Sequence, residues 1–433
     1  MRTPLGKIGI MTENTDPSPP NRGFAAFVAM MAALMMLGAL GLDGMLPSLP
    51  IMVHDLDIRS PNEAQLVVVV YGLSMGLGTI VYGPLMDRYG RKPVLLAGLA
   101  AFALSSALAA VAMSLTILLV ARTLQGVAIA SARIGAVSVI RDRYHGPRMA
   151  QVMSISMLVL MASPIFAPAL GQLVLAFTSW RWLFGALALL AFGLAVWVSV
   201  GLPESLHPRD RRAISAKEVL AAFGMTIRSR QGMGYTLAGA LVFAALFGFI
   251  TSASQLINDT FHAGGDFALV FGAVSVFTAI ASLLNALWVQ RLGARLLGEG
   301  ALAVSIIVAG VHLIVSLSGH ETLVRFVVLE GLWMFCFGLM VGNFGALAME
   351  PMGHIAGSAA SAQGFITMVM GAFVAFAIGQ AFDGTTVPLV GGTLVCGLAA
   401  LAAVALAERG RLFQPSRDAR ANRPERVLQG GES

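Results

Sequence analysis

Charged residues and cysteines are scarce in this chain of 433 residues, and phosphate-binding sequences are missing. Only 12% of the residues are charged, whereas 57% are hydrophobic and the mean hydropathy is +0.81. Soluble domains do not combine so little charge with so much apolar surface, so the composition excludes a soluble multidomain protein. It predicts an integral membrane protein.

The residues and motifs that the sequence lacks also argue against several classes of function. Both cysteines, Cys336 and Cys396, lie inside apolar runs, which argues against a disulfide framework and against a metal site. No Gly-x-x-x-x-Gly-Lys-Ser/Thr sequence occurs, so an ion gradient is expected to supply the energy for any transport. The clustered His, Cys and Asp residues of an enzyme are absent, as is an output domain for a membrane sensor. We therefore expect no enzyme, no cofactor and no metal.

Twelve apolar runs of about 20 residues or more are present, each long enough to cross about 30 Å of hydrocarbon. We number them spans 1 to 12. They lie at roughly 24–46, 63–84, 93–113, 115–140, 150–175, 181–201, 233–256, 266–290, 296–317, 322–349, 357–380 and 386–407. Two six-span halves are typical of a transporter built from two structural repeats. The predicted parts are a disordered tail (1–22), a first bundle (23–201), a linker (202–232), a second bundle (233–408) and a basic tail (409–433).

Lysine and arginine predict which side of the membrane each loop occupies. With cytoplasmic termini, 23 of the 28 basic residues fall in cytoplasmic segments and 3 fall outside, while Arg122 and Arg133 lie within span 4. This asymmetry predicts that both termini are cytoplasmic. It also accounts for the net charge of +6 without nucleic acid as a partner.

The linker contains an apolar stripe and a capping-box spacing, Ser215 with Glu218. The stripe consists of Ile214, Val219, Leu220 and Phe223. This pattern predicts an amphipathic helix that lies on the inner membrane face. A ligand-binding loop is the alternative.

Asp43 is an ionisable residue inside a span, near the predicted outer end of span 1, and its sequence neighbours offer no cation. Such a group costs about 2.5–3.5 kcal/mol to place mid-membrane on insertion scales, so it usually faces a polar cavity or a partner. A buried carboxylate without compensation would bind and release protons near neutral pH. The alternative is that Asp43 lies at the interface and is solvated.

Span 4 offers the natural partner for Asp43. Arg122, Gln125 and Arg133 lie at offsets of 0, 3 and 11 residues, which places both arginines on one helical face, about 16 Å apart. Since span 4 runs inward, Arg122 is better placed than Arg133 to meet Asp43. Gly126 would permit close approach of a neighbouring helix. We interpret Arg133 either as a second cation of the cavity or as a snorkelling residue.

In the second half, Glu330 is predicted two turns inside span 10, with Asn285, His312 and Asn343 as the other polar residues of the spans. We interpret Glu330 as a second site for protons or for recognition of a cation, or alternatively as a solvated residue of an outer vestibule. Asn343 joins the candidates for substrate binding, and His312 is expected to be a hydrogen-bonded packing residue. Large apolar side chains could line an adaptable cavity, namely Met35, Phe247, Trp333 and Phe337.

A short polar turn joins spans 2 and 3, with the sequence Gly-Pro-Leu-Met-Asp-Arg-Tyr-Gly-Arg-Lys-Pro at 83–93. Its glycines permit a sharp turn, and its prolines limit the helices on both sides. The turn resembles the loop between helices 2 and 3 of the major facilitator superfamily, roughly Gly-x-Leu-Ala-Asp-Arg-x-Gly-Arg-Lys/Arg. A basic cytoplasmic loop of another membrane protein is the alternative.

The resemblance implies a gating role for this turn and for the end of span 4. The residues concerned are Gly83, Asp87, Arg88, Gly90, Arg91, Arg141 and Asp142. Asp87 and Arg91 should meet Arg141 and Asp142, and Asp87 should also lie near the start of span 11. These contacts are expected to hold the outward-facing state and to break as the halves rock.

Two further sequences resemble superfamily motifs. Arg122-Thr-Leu-Gln-Gly126 is similar to the helix 4 motif Arg-x-x-Gln-Gly, which implies a role in proton transfer for Arg122. The stretch with Pro164, Pro168 and Gly171 is similar to the helix 5 motif of exporters, although Ala167-Pro168 and Gly171-Gln172 depart from the usual Gly-Pro and double glycine. The two prolines would bend span 5 in any membrane protein.

Over residues 24–407 the chain resembles the drug:proton antiporters of the superfamily, especially the bicyclomycin and chloramphenicol resistance branch. The ending Leu202-Pro-Glu-Ser205 and the run 343–364 extend this likeness. It implies an all-α membrane protein with 12 transmembrane helices in two six-helix bundles. The implied function is proton-coupled export of drug-like or amphipathic compounds, and a transporter of one metabolite is the alternative. Expected partners are the substrate, protons and the lipid bilayer, for a monomer in a bacterial inner membrane.

Overall fold

The computed structural model describes residues 22–211 and 216–413, with side chains except at 22, 216–220, 222 and 353–358. Within these ranges the regular structure is entirely helical, and twelve helices are long and apolar enough to cross a membrane. They are Gly23–Asp55, Pro61–Tyr89, Arg91–Ala110, Leu115–Arg143, Gly146–Phe177, Arg181–Gly201, Arg230–Thr260, Gly264–Leu292, Ala294–Leu317, Leu323–Met352, Ala359–Gln380 and Val387–Ala407. This architecture confirms the predicted fold class, and we keep the names spans 1 to 12.

We call the face at which span 1 begins the inner face and the opposite one the outer face. Which of them meets the cytoplasm stays a prediction from the basic residues. Each helix pairing in the first half recurs in the second: spans 2 and 4 pack together as spans 8 and 10 do, and span 3 meets spans 4 and 6 as span 9 meets spans 10 and 12. The two halves touch mainly through span 2 with span 11 and span 5 with span 8.

Span 1 is longer than the hydrophobic pattern predicted. The helix Arg22–Asp43 is followed by a 3₁₀ turn, Leu46–Ser48, and by a second helix, Leu49–Asp55. Pro47 and Pro50 start these two pieces instead of ending the span, because a proline is compatible with a first helical turn, where its missing N–H has no partner to lose. Asp43 therefore lies at an internal break, twelve residues before the outer end of the span.

The turn between spans 2 and 3 is also shorter than predicted. Gly83 and Pro84 lie within the helix Leu66–Tyr89, and the helix Arg91–Ala110 begins only two residues later. The reversal takes place at Gly90, whose φ of 103° favours glycine. Pro93 stands in the first turn of the next helix, where no hydrogen bond from its nitrogen is required.

The predicted linker contains a helix, Ala216–Arg228, which we call the linker helix. Its Phe223 ring packs edge-on against Phe365 of span 11 at 5.6 Å, and its Thr226 is buried. These contacts seat the linker helix against the second half. Ile214 and Ser215 lie outside the described residues, as do the side chains of Glu218, Val219 and Leu220, so the predicted stripe and capping box stay untested there.

Spans 4 and 10 begin alike at the outer face. Ser114 caps span 4 by accepting a hydrogen bond from the backbone N–H three residues on, and Thr322 does the same for span 10. Counted from these caps, Arg122 and Glu330 both stand at the eighth residue. The two ionisable residues therefore occupy equivalent positions in the two halves.

Hydrogen bonds between the halves close the outer face. Gln65 of span 2 contacts the Gln255 side chain of span 7 and donates to the Gly379 carbonyl of span 11 at 3.1 Å. Gln255 in turn donates to Asn62 at 2.8 Å. On the other side, Gln172 of span 5 donates to the Gly265 carbonyl at 2.7 Å and accepts from the Ala268 N–H at 3.1 Å. We call these contacts the outer seal.

Among the described residues, no hydrogen bond or ion pair joins spans 4 and 10 in the inner half of the molecule. The hydrogen bonds and ion pairs described at the inner face stay within one half, as those of Arg91 and Arg295 do. Arg133 and Val341, which are equivalent positions of the two spans, are both exposed. At 100° per residue each lies about 180° from the lipid-facing residues near the outer end of its span, such as Leu124 and Leu332. We infer from these observations that an internal cavity lies there and that the molecule is in a state closed outward and open inward.

Candidate functional site

Asp43 is buried, with 4% of its surface exposed, which excludes the solvated interfacial position that the sequence left open. It ends the helix Arg22–Asp43, beside Gly44. Its Oδ1 atom is buried and has no hydrogen-bond partner among the described residues. A carboxylate in this position is poorly solvated, so either a proton or a nearby cation has to compensate its charge.

Arg122 is completely buried, and most of its guanidinium is engaged by neutral groups. Nε donates to the Val67 carbonyl at 3.0 Å, and Nη1 donates to the Gly41 carbonyl at 2.9 Å and to Gln125 at 2.8 Å. The guanidinium also lies 4.0 Å from the centre of the Tyr71 ring, a cation–π distance. Nη2 is buried without a hydrogen bond among the described residues.

No ion pair joins Asp43 to Arg122 in the described part of the chain, contrary to the direct contact that the sequence suggested. The two residues are nevertheless neighbours, because Arg122 binds the carbonyl of Gly41, two residues before Asp43. The backbone carbonyls and the Tyr71 ring hold the guanidinium without a carboxylate. One acid and one cation therefore share the interior of the first bundle, and each has one unpaired polar atom.

Gln125 and Gly126 support this position of Arg122. Gln125 accepts from Arg122 and donates to Ser106 of span 3 at 2.6 Å, which links spans 3 and 4. A β-carbon at Gly126 would overlap the carbonyl oxygen of Tyr71, so glycine is required for the observed approach of spans 2 and 4.

The helix 5 motif packs directly beside Asp43. A β-carbon at Gly171 would overlap the carbonyl oxygen of Gly44, so spans 1 and 5 touch through backbone at this point. Pro164 and Pro168 lie within the continuous helix Gly146–Phe177, so the prolines do not end it.

Arg133 does not join the buried pair. It is exposed on the helical side opposite the lipid-facing residues, and among the described residues neither a carboxylate nor a hydrogen bond reaches its guanidinium. This position favours the interpretation as a cation of the cavity over a snorkelling residue, since snorkelling side chains reach along the lipid face.

Glu330 is also buried, with 2% exposed, which excludes a solvated vestibule position. Its Oε2 lies 3.8 Å from Nδ1 of His312, whose Nε2 lies 2.7 Å from Oε1 of Glu321. His312 is thus hydrogen-bonded, as predicted, but it contacts two carboxylates. Asn343 is separate from this group and donates to Asn285 of span 8 at 2.7 Å.

The predicted cavity residues Met35, Phe247, Trp333 and Phe337 are all buried. Phe247 stacks on Phe243 at 5.8 Å between ring centres, and Trp333 stacks on Phe337 at 6.1 Å. In this state they fill space between helices instead of lining an open cavity.

At the inner face, Arg91 lies at the centre of the predicted gating contacts. It pairs with Asp87 of span 2 and, through Nε at 3.0 Å, with Asp142 of span 4. Arg141 was predicted to join them, but it is exposed and has no contact with Asp87 or Arg91, because it points about 100° away from Asp142 on the helix. Arg88 is exposed and lies 5.2 Å from the ring of Tyr89.

The expectation that these contacts mark the outward-facing state is wrong in this structure. They are formed while the outer face is closed, because spans 2, 3 and 4 belong to one half and rocking of the halves does not separate them. The predicted approach of Asp87 to the start of span 11 involves side chains at 353–358, which lie outside the described residues.

Several contributing residues escaped the sequence reasoning. Glu204, after span 6, accepts from the backbone N–H groups of Arg91 at 2.9 Å and Lys92 at 3.2 Å, and so caps span 3. Tyr71 holds Arg122, and Gln65 and Gln255 form the outer seal. The sequence does place the amide side chains of Gln65 and Gln255 near the ends of apolar runs. Residues that merely face the membrane–water interface occupy such positions too, so the sequence could not identify these two as seal residues.

Known proteins share the sequence pattern and the architecture of this chain. A family model described as Major Facilitator Superfamily matches residues 24–376. The bicyclomycin resistance protein homolog of Haemophilus influenzae is 26% identical over 374 residues, which cover 84% of this chain and 91% of that protein. Multidrug resistance protein MdtL of Escherichia coli (strain K12 / DH10B) is 26% identical over 382 residues, 86% of this chain and 93% of that protein.

A solved structure, the crystal structure of a D-xylose-proton symporter, superimposes with a TM-score of 0.71. The match covers 88% of this chain and 97% of that one at 14% sequence identity. At this identity the likeness is one of fold.

Proposed function

The chain belongs to the Major Facilitator Superfamily, and from this premise we propose that it exports small, drug-like or amphipathic compounds in exchange for protons. Members of the superfamily are transporters. Both relatives are named for drug resistance, which supports export as the direction of transport and drugs as the substrate class. The proposed location is a bacterial inner membrane, where the protein works as a monomer.

The observation that carries proton coupling is the arrangement of Asp43 and Arg122. Both are buried in the first bundle, and Oδ1 of Asp43 and Nη2 of Arg122 are unpaired among the described residues. A structural ion pair would satisfy both groups, whereas an acid held near an incompletely paired cation can alternate between a neutral and a charged form. Asp43 is therefore the proton carrier in our proposal, and Arg122 stabilises its deprotonated form when the two approach.

Substrate and proton would compete through this pair. Binding of cargo in the cavity between spans 4 and 10 changes the surroundings of Arg122, draws it toward or away from Asp43, and so changes whether Asp43 keeps its proton. Alternating access then requires that the outer seal opens while the inner half closes, which couples proton and substrate to opposite faces.

The inner contacts of Arg91 with Asp87 and Asp142 hold spans 2, 3 and 4 as one unit during this motion. Gating by Asp87 itself would come from its charge meeting the positive end of the span 11 helix when the inner face closes. Gly171 supports the exporter assignment, because it allows span 5 to lie against the chain beside Asp43.

The experiment compares efflux of chloramphenicol and bicyclomycin in cells and in liposomes with an imposed pH gradient. Asp43→Asn and Arg122→Ala are each expected to reduce gradient-driven transport at least about tenfold. Asp210→Asn and Arg209→Gln, exposed residues after span 6, are the matched controls and should stay within about twofold of the parent.

Unchanged gradient-driven efflux in Asp43→Asn would refute the proposed coupling. Screening the same cells against a wider set of compounds separates broad drug export from transport of one metabolite, since a metabolite transporter would confer resistance to neither antibiotic.

A further inference from the structure

The second half contains three titratable side chains that the Asp43 mechanism does not use. Glu330 belongs to span 10, His312 to span 9, and Glu321 to the connection between these spans at the outer face. His312 lies between the two carboxylates, 2.7 Å from Glu321 through Nε2 and 3.8 Å from Glu330 through Nδ1. We call these three residues the outer triad.

The outer end of the triad is held rigidly. Oε2 of Glu321 accepts from Ser316 at 2.6 Å and also contacts the hydroxyl of Thr386, at the start of span 12. Burial alone would raise the pKa of Glu321, but the hydrogen bonds from His312, Ser316 and Thr386 and the charge of His312 together lower it below its usual value. Glu321 therefore favours its charged form, and its side chain keeps a little exposure.

The inner end of the triad is in the opposite environment. Glu330 is buried among apolar neighbours that include Phe326 and Met334, and its Oε1 has no hydrogen-bond partner among the described residues. A permanent charge in such a place is costly, so Glu330 needs a route by which a proton can arrive. The imidazole of His312 is the titratable group that connects it to the outer face.

The geometry of the imidazole suits transfer. Each ring nitrogen faces a different carboxylate, so one nitrogen can accept a proton while the other releases one. The outer contact is a hydrogen bond in this state, whereas the inner contact at 3.8 Å is too long for one. In this state the proton path is thus hydrogen-bonded between Glu321 and His312, and it is interrupted between His312 and Glu330.

Position in the fold connects the triad with the first half. Glu330 occupies the place of Arg122, the eighth residue after the cap of its span. In the first half this place lies beside the proposed proton carrier. At the equivalent position of the second half, the side chain is therefore a carboxyl group instead of a guanidinium.

We propose that Glu330 is a second proton-binding site, loaded from the outer face through Glu321 and His312. A proton from water reaches the Glu321 carboxylate, and the imidazole of His312 exchanges its tautomer from Nε2–H to Nδ1–H. The Glu321 carboxyl then gives its proton to Nε2 while the Nδ1 proton passes to Oε2 of Glu330, which restores the starting form of His312 and Glu321. Only O–H and N–H bonds form and break. The idea that this site contributes to antiport rests on the proposed drug:proton exchange, whereas the loading route itself does not.

Other titratable groups of the outer face lie outside the route. His320 and Arg325 are exposed and contact each other through the His320 carbonyl, and Asp383 accepts from Thr385. Asp259, on span 7, is exposed as well. Among the described residues none of these four side chains hydrogen-bonds to or forms an ion pair with a triad side chain, so His320, the neighbour of Glu321 in the sequence, serves as the control.

The test is infrared difference spectroscopy of the purified Asp43→Asn protein in liposomes, stepped from about pH 8 to about pH 5, because the Asp43 carboxyl would give a band of its own. A band of a protonated carboxyl is expected, and Glu330→Gln should remove it, whereas Glu350→Gln, an exposed carboxylate at the other end of span 10, should retain it. His312→Gln and Glu321→Gln should slow its appearance at least about tenfold, and His320→Gln should leave the rate within about twofold.

A band that survives Glu330→Gln would overturn the proposal, and so would an unchanged rate in both His312→Gln and Glu321→Gln. Two variants are used because either alone could impair folding, which thermal unfolding reports separately. Chloramphenicol-dependent proton flux is measured on liposomes that hold the parent protein. Its absence in the parent protein would refute drug:proton exchange without touching the triad, while loss of the triad signals alone would leave exchange through Asp43 intact.

Discussion

The two arginines of span 4 differ in how their charge is stabilised. Arg122 is held by two backbone carbonyls, an amide and an aromatic ring, whereas Arg133, about three turns away on the same face, meets open space. The sequence predicted that both share a face and that Asp43 is a special residue. It could not predict that Gly41 and Val67 would take the place of a carboxylate, because these partners come from other parts of the chain and offer only backbone.

Arg133 should set the charge preference of the cavity. It is exposed there without an acidic partner among the described residues, so it favours neutral or anionic cargo over cations. We expect Arg133→Glu to shift the ratio of ethidium to chloramphenicol transport toward ethidium at least about tenfold, which corresponds to about 1.4 kcal/mol. Efflux assays of both compounds measure the ratio, and Arg209→Glu, an exposed site outside the spans, should leave it unchanged.

Gly171 should tolerate no side chain. A methyl group there would collide with the Gly44 carbonyl oxygen, and overpacking of this kind costs about 1–3 kcal/mol. Gly171→Ala is expected to lower the thermal unfolding midpoint and transport together. Gly193→Ala in span 6 is the matched control, because no atom lies within 4 Å of its added carbon. Equal stability of the two variants would contradict the close packing of spans 1 and 5.

At the scale of helices and connections, the lengths of the apolar runs located all twelve spans but misplaced some of their ends. Pro84 was expected to limit span 2, and span 1 was expected to end near residue 46. Pro84 lies inside span 2, and Pro47 and Pro50 stand in the opening turns of the two helical pieces that extend span 1. Proline limits a helix only where its missing donor and its ring conflict with the preceding turn. Composition cannot show whether a proline ends a helix, because the effect of the proline depends on which residue begins the helix.

The connection at 318–322 should be anchored more weakly in acid. Because hydrogen bonds lower the pKa of Glu321 in the folded protein, its contribution to stability is complete above its ordinary pKa of 4.5 and is lost as the pH falls through the lowered value. Thermal unfolding of the parent protein should therefore show an extra loss of stability below about pH 4.5 that Glu321→Gln lacks. Parallel pH profiles for the two proteins would contradict this linkage.

For the whole molecule, the sequence predicted two halves but not their state. Which face is closed depends on small differences between many contacts, and the side chains that close it here, Gln65, Gln255 and Gln172, resemble interfacial residues when read from the sequence alone. The duplicated pairing of spans and the shared caps of spans 4 and 10 became visible only in three dimensions.

Removing the outer seal should shift the population of states. Gln65→Ala with Gln255→Ala deletes three hydrogen bonds worth about 0.5–1.5 kcal/mol each, so the outward-open share should rise at least about tenfold relative to the inward-open one. Spin labels at His54→Cys and Asp266→Cys, exposed on the two halves, report the opening as a longer distance when Cys336 and Cys396 have been replaced. Gln290→Ala, exposed near the inner end of span 8, is the control. An unchanged distance distribution would show that other contacts keep the outer face closed.

The equivalent placement of Arg122 and Glu330 has an electrical consequence. Each stands about 12 Å along its helix from the outer cap, so the two residues sit at similar depth with opposite sign. When Glu330 is ionised the two charges cancel, and when it is protonated the positive charge of Arg122 remains uncancelled at this depth. Each such charge carried across 100 mV involves about 2.3 kcal/mol. The occupancy of one carboxyl group would thereby decide whether a transport cycle draws current.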